Sequence, residues 1–298
     1  MKLGLQIDSF TYPGGTPAIA PTLERIVRTA DEIGFDSIWV MDHLFQIRSV
    51  GAAEEPMLEG WTALGWMAAI TKRARLGLMV GGIHYRLPGI WIKAATALDV
   101  LSGGRAWLGL GAAWNRYESE GLGFPFPPLG ERFEMLEETL AMAHEMFAGE
   151  RGSEAAFDGR HYQARRLMNS PQSISRPRVP IMIGGGGEQK TLRLVAQYGD
   201  ASNVFGGPEQ IHHKWEVLRG HCEALGRPFD EIERTTLQGV RISADGRDRT
   251  ETPDQVVERF GELADAGAQH VLFSVRDLHE PDKLELLGST VLPQLRAL

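Results

Sequence analysis

Chemistry first shows in Met41-Asp42-His43, where a carboxylate and an imidazole follow the strand-like run Asp36–Met41. Histidine changes charge near neutral pH, so such a pair can move a proton. Neighbouring residues on an extended chain point to opposite faces, so the two need not touch. Asp42 reads equally well as a loop cap, and His43 as the filler of a polar pocket. Four glycines, Gly184, Gly185, Gly186 and Gly187, stand between the strand-like Pro180–Ile183 and the helical Glu188–Tyr198. Bare backbone lets a ligand come close, and the amides at a helix start attract anions, phosphate above all. Lys190 would add charge. A tight turn is the other reading, although one or two glycines would serve it. Met79-Val80 is followed by Gly81 and Gly82, which permit a bulge, and His84, Tyr85 and Arg86 crowd the same rim. Asn115 could read the edge of a heterocycle or cap a loop.

Several other chemistries are excluded. Gln189 precedes Lys190-Thr191 where a P-loop needs glycine. Gly109-Leu110-Gly111-Ala112-Ala113-Trp114 puts a bulky residue where the dinucleotide fingerprint needs a small one. There is no nucleophile-elbow serine and no His-Glu-x-x-His. The single cysteine, Cys222, lies on an apolar helical stripe with Ile211, Trp215, Leu218 and Leu225, so neither a disulfide framework nor a metal site is expected. A net charge of −8 disfavours nucleic acid or an anionic membrane as a partner. No apolar run nears the roughly 20 residues of a membrane span. Met1 is followed at once by the strand-like Lys2–Ile7, unlike a signal peptide. A cytoplasmic protein is the expectation.

The elements that position these residues alternate regularly. Strands are predicted at Lys2–Asp8, Asp36–Met41, Arg75–Val80, Arg105–Leu110, Pro180–Ile183, Asp200–Phe205, Thr235–Ile242 and Gln269–Val275. Helices fall between them, the first with Pro21 in its opening turn, another over Glu131–Ala148, another opened by the capping box Thr252–Gln255. Eight βα units over 298 residues close naturally as a (β/α)8 TIM barrel in one domain, 1–298. A doubly wound sheet is the competing architecture. Residues 150–179, rich in Arg, Ser and Pro with a hairpin turn at Asp158–Gly159, read as an insertion between the fourth helix and fifth strand. In a barrel, chemistry sits on loops at the C-terminal strand ends, where all the residues above fall.

Together these stretches resemble the bacterial luciferase-like superfamily, most closely its coenzyme F420-dependent oxidoreductases. The resemblance covers essentially the whole chain. It rests on Ile38–His43, on Leu98-Asp99-Val100-Leu101-Ser102-Gly103-Gly104-Arg105, on Gly109–Asn115, and on Pro180–Ile183 with its glycine run. It implies a deazaflavin or flavin across the barrel mouth and a non-proline cis peptide at Met79–Val80, with Gly81 and Gly82 completing the bend. It also implies that Asp42 and Asn115 contact the cofactor, that Gly184–Gly187 hold its phosphodiester, that Phe205 and Gly206 complete that wall, and that His43 faces the substrate. Two departures matter: Ile47 and Ala112 stand where the sugar-phosphate dehydrogenase branch has Trp and Glu, so that branch's substrate is not transferred.

The resulting expectation is an F420-dependent oxidoreductase moving a hydride to or from a small organic molecule, with His43 handling the proton. Tyr85 and Glu118 are further candidates for that role. An FMN-dependent monooxygenase and a catalytically silent flavin-binding barrel are the alternatives. Pro56-Met57-Leu58, Trp61, Tyr117, Phe124 and Phe126 suggest an apolar substrate cavity, and the family suggests a homodimer.

Overall fold

The computed structural model describes residues 1–298. Eight parallel strands, β1 (Lys2–Ile7), β2 (Ser37–Val40), β3 (Arg75–Leu78), β4 (Ala106–Gly111), β5 (Ile181–Gly184), β6 (Ala201–Val204), β7 (Glu233–Val240) and β8 (His270–Val275), pair in chain order. The last returns to the first, with Leu5 opposite Phe273. The expected closed barrel is therefore the observed one. β3 ends early: the Met79–Val80 peptide is cis, at the position the resemblance implied, and pairing with β4 resumes at Gly81 and Gly82.

Strand alternation sorts the side chains into two cores. Ile38 and Val40 join the large core under the helices, whereas Trp39 belongs to a small cluster with Met79, Trp107, Met182, Ala201 and Leu272 that fills the barrel. Gly77 makes this possible, because a Cβ there would sit 2.6 Å from the Trp39 ring and 2.8 Å from Trp107 Cβ. Below that cluster, a polar chain seals the N-terminal end. Trp39 Nε1 donates to Ser37 Oγ at 2.7 Å, Ser37 meets His270 Nε2 at 2.9 Å, and His270 Nδ1 meets Glu233 at 2.8 Å. Burial would raise the Glu233 carboxyl, but His270 and Lys2 outweigh it and hold it down at about 2.

The helices are α1 (Thr16–Ile33), α2 (Gly60–Ile70), α3 (Pro88–Ser102), α4 (Arg116–Gly121), α5 (Leu129–Met146), α6 (Thr191–Tyr198), α7 (Pro208–Leu225), α8 (Pro253–Asp265), α9 (Pro281–Leu286) and α10 (Leu292–Arg296). α1 starts a turn earlier than expected, so Pro17 takes the opening position and Pro21 lies inside. The capping box forms at Thr252, whose side chain accepts the Gln255 amide. In the 150–179 segment, Phe157–Asp158 pairs antiparallel with Gln163–Ala164. The tip of this hairpin is tied to α5, where Glu138 accepts the amides of Arg160 and Tyr162 at 2.7 and 2.9 Å. No helix is long and apolar enough to cross a membrane.

Candidate active site

A cavity of about 1000 Å³ opens at the C-terminal strand ends, with His43, Met79, Trp114 and Phe205 on its wall. His43 leaves β2 and meets a carboxylate from behind: its Nδ1 lies 2.5 Å from Glu118 Oε1. Glu118 is fully buried near the start of α4, and its Oε2 accepts the Leu44 and Phe45 amides at 2.7 and 3.2 Å. Burial would raise the Glu118 carboxyl, but His43, Tyr85 and the Leu44 amide outweigh it and hold it below the usual carboxylate range. An ionised carboxylate only accepts hydrogen bonds, so Nδ1 carries the proton and Nε2 is the free nitrogen. The Trp114 ring stands edge-on to the imidazole at 5.2 Å.

Asp42, expected at the cofactor, is spent on the chain itself. Arg86 grips both of its oxygens, at 2.8 and 2.9 Å, and the Gly82 amide donates to Oδ2 at 3.2 Å. Burial pushes the Asp42 carboxyl up to about 6, with Arg86 and the amide pulling it back. Arg86 continues to Glu59 at 2.6 Å, and Glu59 caps α2 through the Trp61 and Thr62 amides. Asp42 thus ties the β2 exit to the bend after β3, as the opposite-face argument allows.

The aromatic residues expected around the substrate stand elsewhere. Trp61, Tyr85, Tyr117 and Glu118 do not line the cavity. Tyr85 lies tilted against His84 at 4.2 Å and meets Phe124 at 5.3 Å, Tyr117 leans on Phe45, and Trp61 on Trp91. Trp61 and Tyr85 pack against the main core, and Tyr117 is exposed. The cavity is not the apolar one expected. Its far wall, from the ends of β1, β7 and β8, carries Asp8, Arg241, Ser274 and Arg276, none of which stood out in the sequence. Ser274 donates to Asp8, whose carboxyl burial raises.

The glycine run serves two purposes. A Cβ on Gly184 would lie 2.8 Å from Val80 Cγ2, and one on Gly111 equally close, so Val80 is seated on two bare strand ends. Gly185 has φ 123°, open to glycine alone, and its amide donates to the Asn203 carbonyl at 3.0 Å. The Gly186 and Gly187 amides donate to no group of the chain. α6 begins only at Thr191, three residues later than predicted, so these free amides lie ahead of the turn that leads into it. Lys214 of α7 reaches Gly186 and pairs with Glu188, while Lys190 sits over Phe133. Unpaired amides beside an ammonium suit a phosphodiester. Asn115 is the N-cap residue of α4, but its side chain makes no capping bond and no other, which leaves the amide for a ligand. Phe205 is exposed on the cavity, followed by Gly206 at φ 132°.

The family described as luciferase-like monooxygenase matches residues 5–251. A protein of Beutenbergia cavernae named F420-dependent glucose-6-phosphate dehydrogenase is 34% identical over 319 aligned positions, covering 90% of this chain and 91% of that protein. Its namesake in Nakamurella multipartita is 28% identical, covering 97% of each. Among solved structures, a coenzyme F420-dependent tetrahydromethanopterin reductase from Methanopyrus kandleri superposes with TM-score 0.80 at 18% identity over 99% of both chains. An F420-dependent secondary alcohol dehydrogenase superposes with TM-score 0.81 at 16% identity, over 99% of both.

Proposed function

We propose, for a chain that belongs to the luciferase-like monooxygenase family, that it is an F420-dependent oxidoreductase exchanging a hydride with a small organic substrate. The observation that carries the mechanism is the His43–Glu118 pair at the cavity wall. F420, when bound, supplies two-electron hydride chemistry. The chain would bind and aim it: the Gly186 and Gly187 amides with Lys214 would hold a phosphodiester, Asn115 would supply a side-chain amide, and Val80, fixed on Gly111 and Gly184, would help to hold the ring system. His43 Nε2 accepts the substrate's hydroxyl proton on oxidation and returns it on reduction. Glu118 keeps the imidazole in that tautomer. The carboxylate absent at Ala112 is thus replaced in part, since Glu118 arrives from α4 but points at His43 from behind rather than into the cavity. The relatives' sugar phosphate is not carried over.

Equilibrium titration of the protein with F420 and with FMN tests this reading. Binding of F420 with little or none of FMN is expected. Submicromolar FMN binding without F420 binding would turn the assignment to the flavin monooxygenase, and cofactor binding without turnover on a broad substrate panel to a silent carrier.

A homodimer completes the reading. α2 and α3 are apolar on their outer sides too, with Trp66, Leu87, Ile90 and Leu101 exposed and the last three spaced along one side of α3. A helix apolar all round is normally covered, and a second copy of the same face is the covering partner.

A further inference from the structure

The loop between β4 and α4 carries Trp114 to the cavity wall, with Asn115 next along the chain, and its backbone is held from two sides. On one side stands Arg132, in the first turn of α5, buried and without a carboxylate partner. Its Nε donates to the Ala112 carbonyl at 2.8 Å, and its terminal nitrogens to Pro127 at 2.6 Å and Ala113 at 3.4 Å. The guanidinium lies 4.0 Å over the Phe126 ring. On the other side, Ser119 Oγ donates to the Asn115 carbonyl at 2.9 Å and meets His84 Nε2 at 2.7 Å. Three of the four loop carbonyls are therefore fixed. Ala113 between them has φ 61°, a left-handed backbone that a residue with a Cβ keeps only where its surroundings enforce it. The Trp114 ring remains 64% exposed and the Asn115 amide unbonded.

A buried guanidinium is usually placed against a carboxylate. Here two of its donors go to the Ala112 and Ala113 carbonyls of a loop whose Trp114 is exposed, and a third to Pro127, so the charge serves the shape of that loop. We propose that Arg132 is a positioning residue for cofactor binding: it presets Ala112–Asn115 so that Asn115 and Trp114 meet the ligand without reordering. This rests on the F420 reading above. A loop that must first be ordered gives up part of its binding free energy, so losing the clamp weakens binding even where the fold survives.

The test measures F420 affinity, thermal midpoint and iodide quenching of tryptophan fluorescence in two variants. Arg132→Lys keeps the charge but cannot bridge three carbonyls. Ala113→Val leaves Arg132 intact but disfavours the left-handed backbone through its branched Cβ. Each is expected to raise the dissociation constant for F420 about tenfold and to change the iodide quenching of the already exposed Trp114, while the variant still melts cooperatively. Unchanged affinity in either folded variant, or weakened affinity with unchanged iodide access, overturns the proposal. If the wild type binds FMN and not F420, the F420 reading fails, and the same series run with FMN decides the clamp. If the wild type binds neither, both fall.

Discussion

Glu118 Oε1 and His43 Nδ1 lie 2.5 Å apart, across a boundary between a buried carboxylate and a cavity-lining imidazole. The carboxylate accepts and the ring donates, which fixes the tautomer. Replacing Glu118 by Gln puts a neutral amide in that place, one able to donate where only an acceptor fits. Turnover should fall by about a hundredfold or more, as for other oriented imidazole bases, with F420 affinity near the wild-type value. Steady-state F420 consumption checks this, and a Glu118→Gln enzyme of wild-type rate would remove the pair from the mechanism. His43→Ala should behave likewise.

Arg86 pairs with the buried carboxylate of Asp42. Arg86→Met should destabilise the fold by roughly 3–5 kcal/mol, because it strands a buried carboxylate. Adding Asp42→Asn should recover part of that loss. Urea denaturation of the two variants decides it, and a single variant as stable as the wild type would contradict the pairing.

His84 gives a pH signature. Burial, aided by nearby Arg132, pushes its imidazole down from 6.5 to about 4. The folded protein holds it neutral while the unfolded chain takes up a proton from about pH 6.5 downward. The stability it contributes is complete above about pH 6.5 and is lost as pH falls toward 4. His84→Gln keeps an amide donor near Ser119 without titrating. Denaturation midpoints at several pH values should show a shallower fall for this variant than for wild type across that window, and parallel curves would sink the assignment.

The uncovered side of α3 makes a prediction about assembly. Leu101→Glu, and Ile90→Glu independently, should convert a dimer into a monomer while leaving F420 binding measurable. Light scattering behind size exclusion reads the outcome. A wild type that runs as a monomer, or a Leu101→Glu dimer, would reject α3 as the contact.

The barrel was legible because each strand is a short apolar run followed by a patterned helix, and the register follows from alternation. His43 and the glycine run were legible because they stand directly at strand ends. Glu118 was harder to place. It lies in the six-residue α4, Arg-Tyr-Glu-Ser-Glu-Gly, too short and polar to show a helical period. Its partner is 75 residues away, a separation no local pattern records. The Arg86 partner of Asp42 was hidden for the same reason, since it lies 44 residues on. The polar wall was missed because Asp8, Arg241 and Ser274 come from three strands and converge only when the cylinder closes.

Val80 nests where Gly111 and Gly184 have no side chains, so three neighbouring strands share one interlocking joint. None of the three positions can drift alone. A methyl added to either glycine has to be matched by a smaller residue at 80, and swapping Val80 for something larger would lift the platform toward whatever rests on it. Any attempt to retune how near a donor ring comes to its acceptor must therefore treat residues 80, 111 and 184 as a single unit.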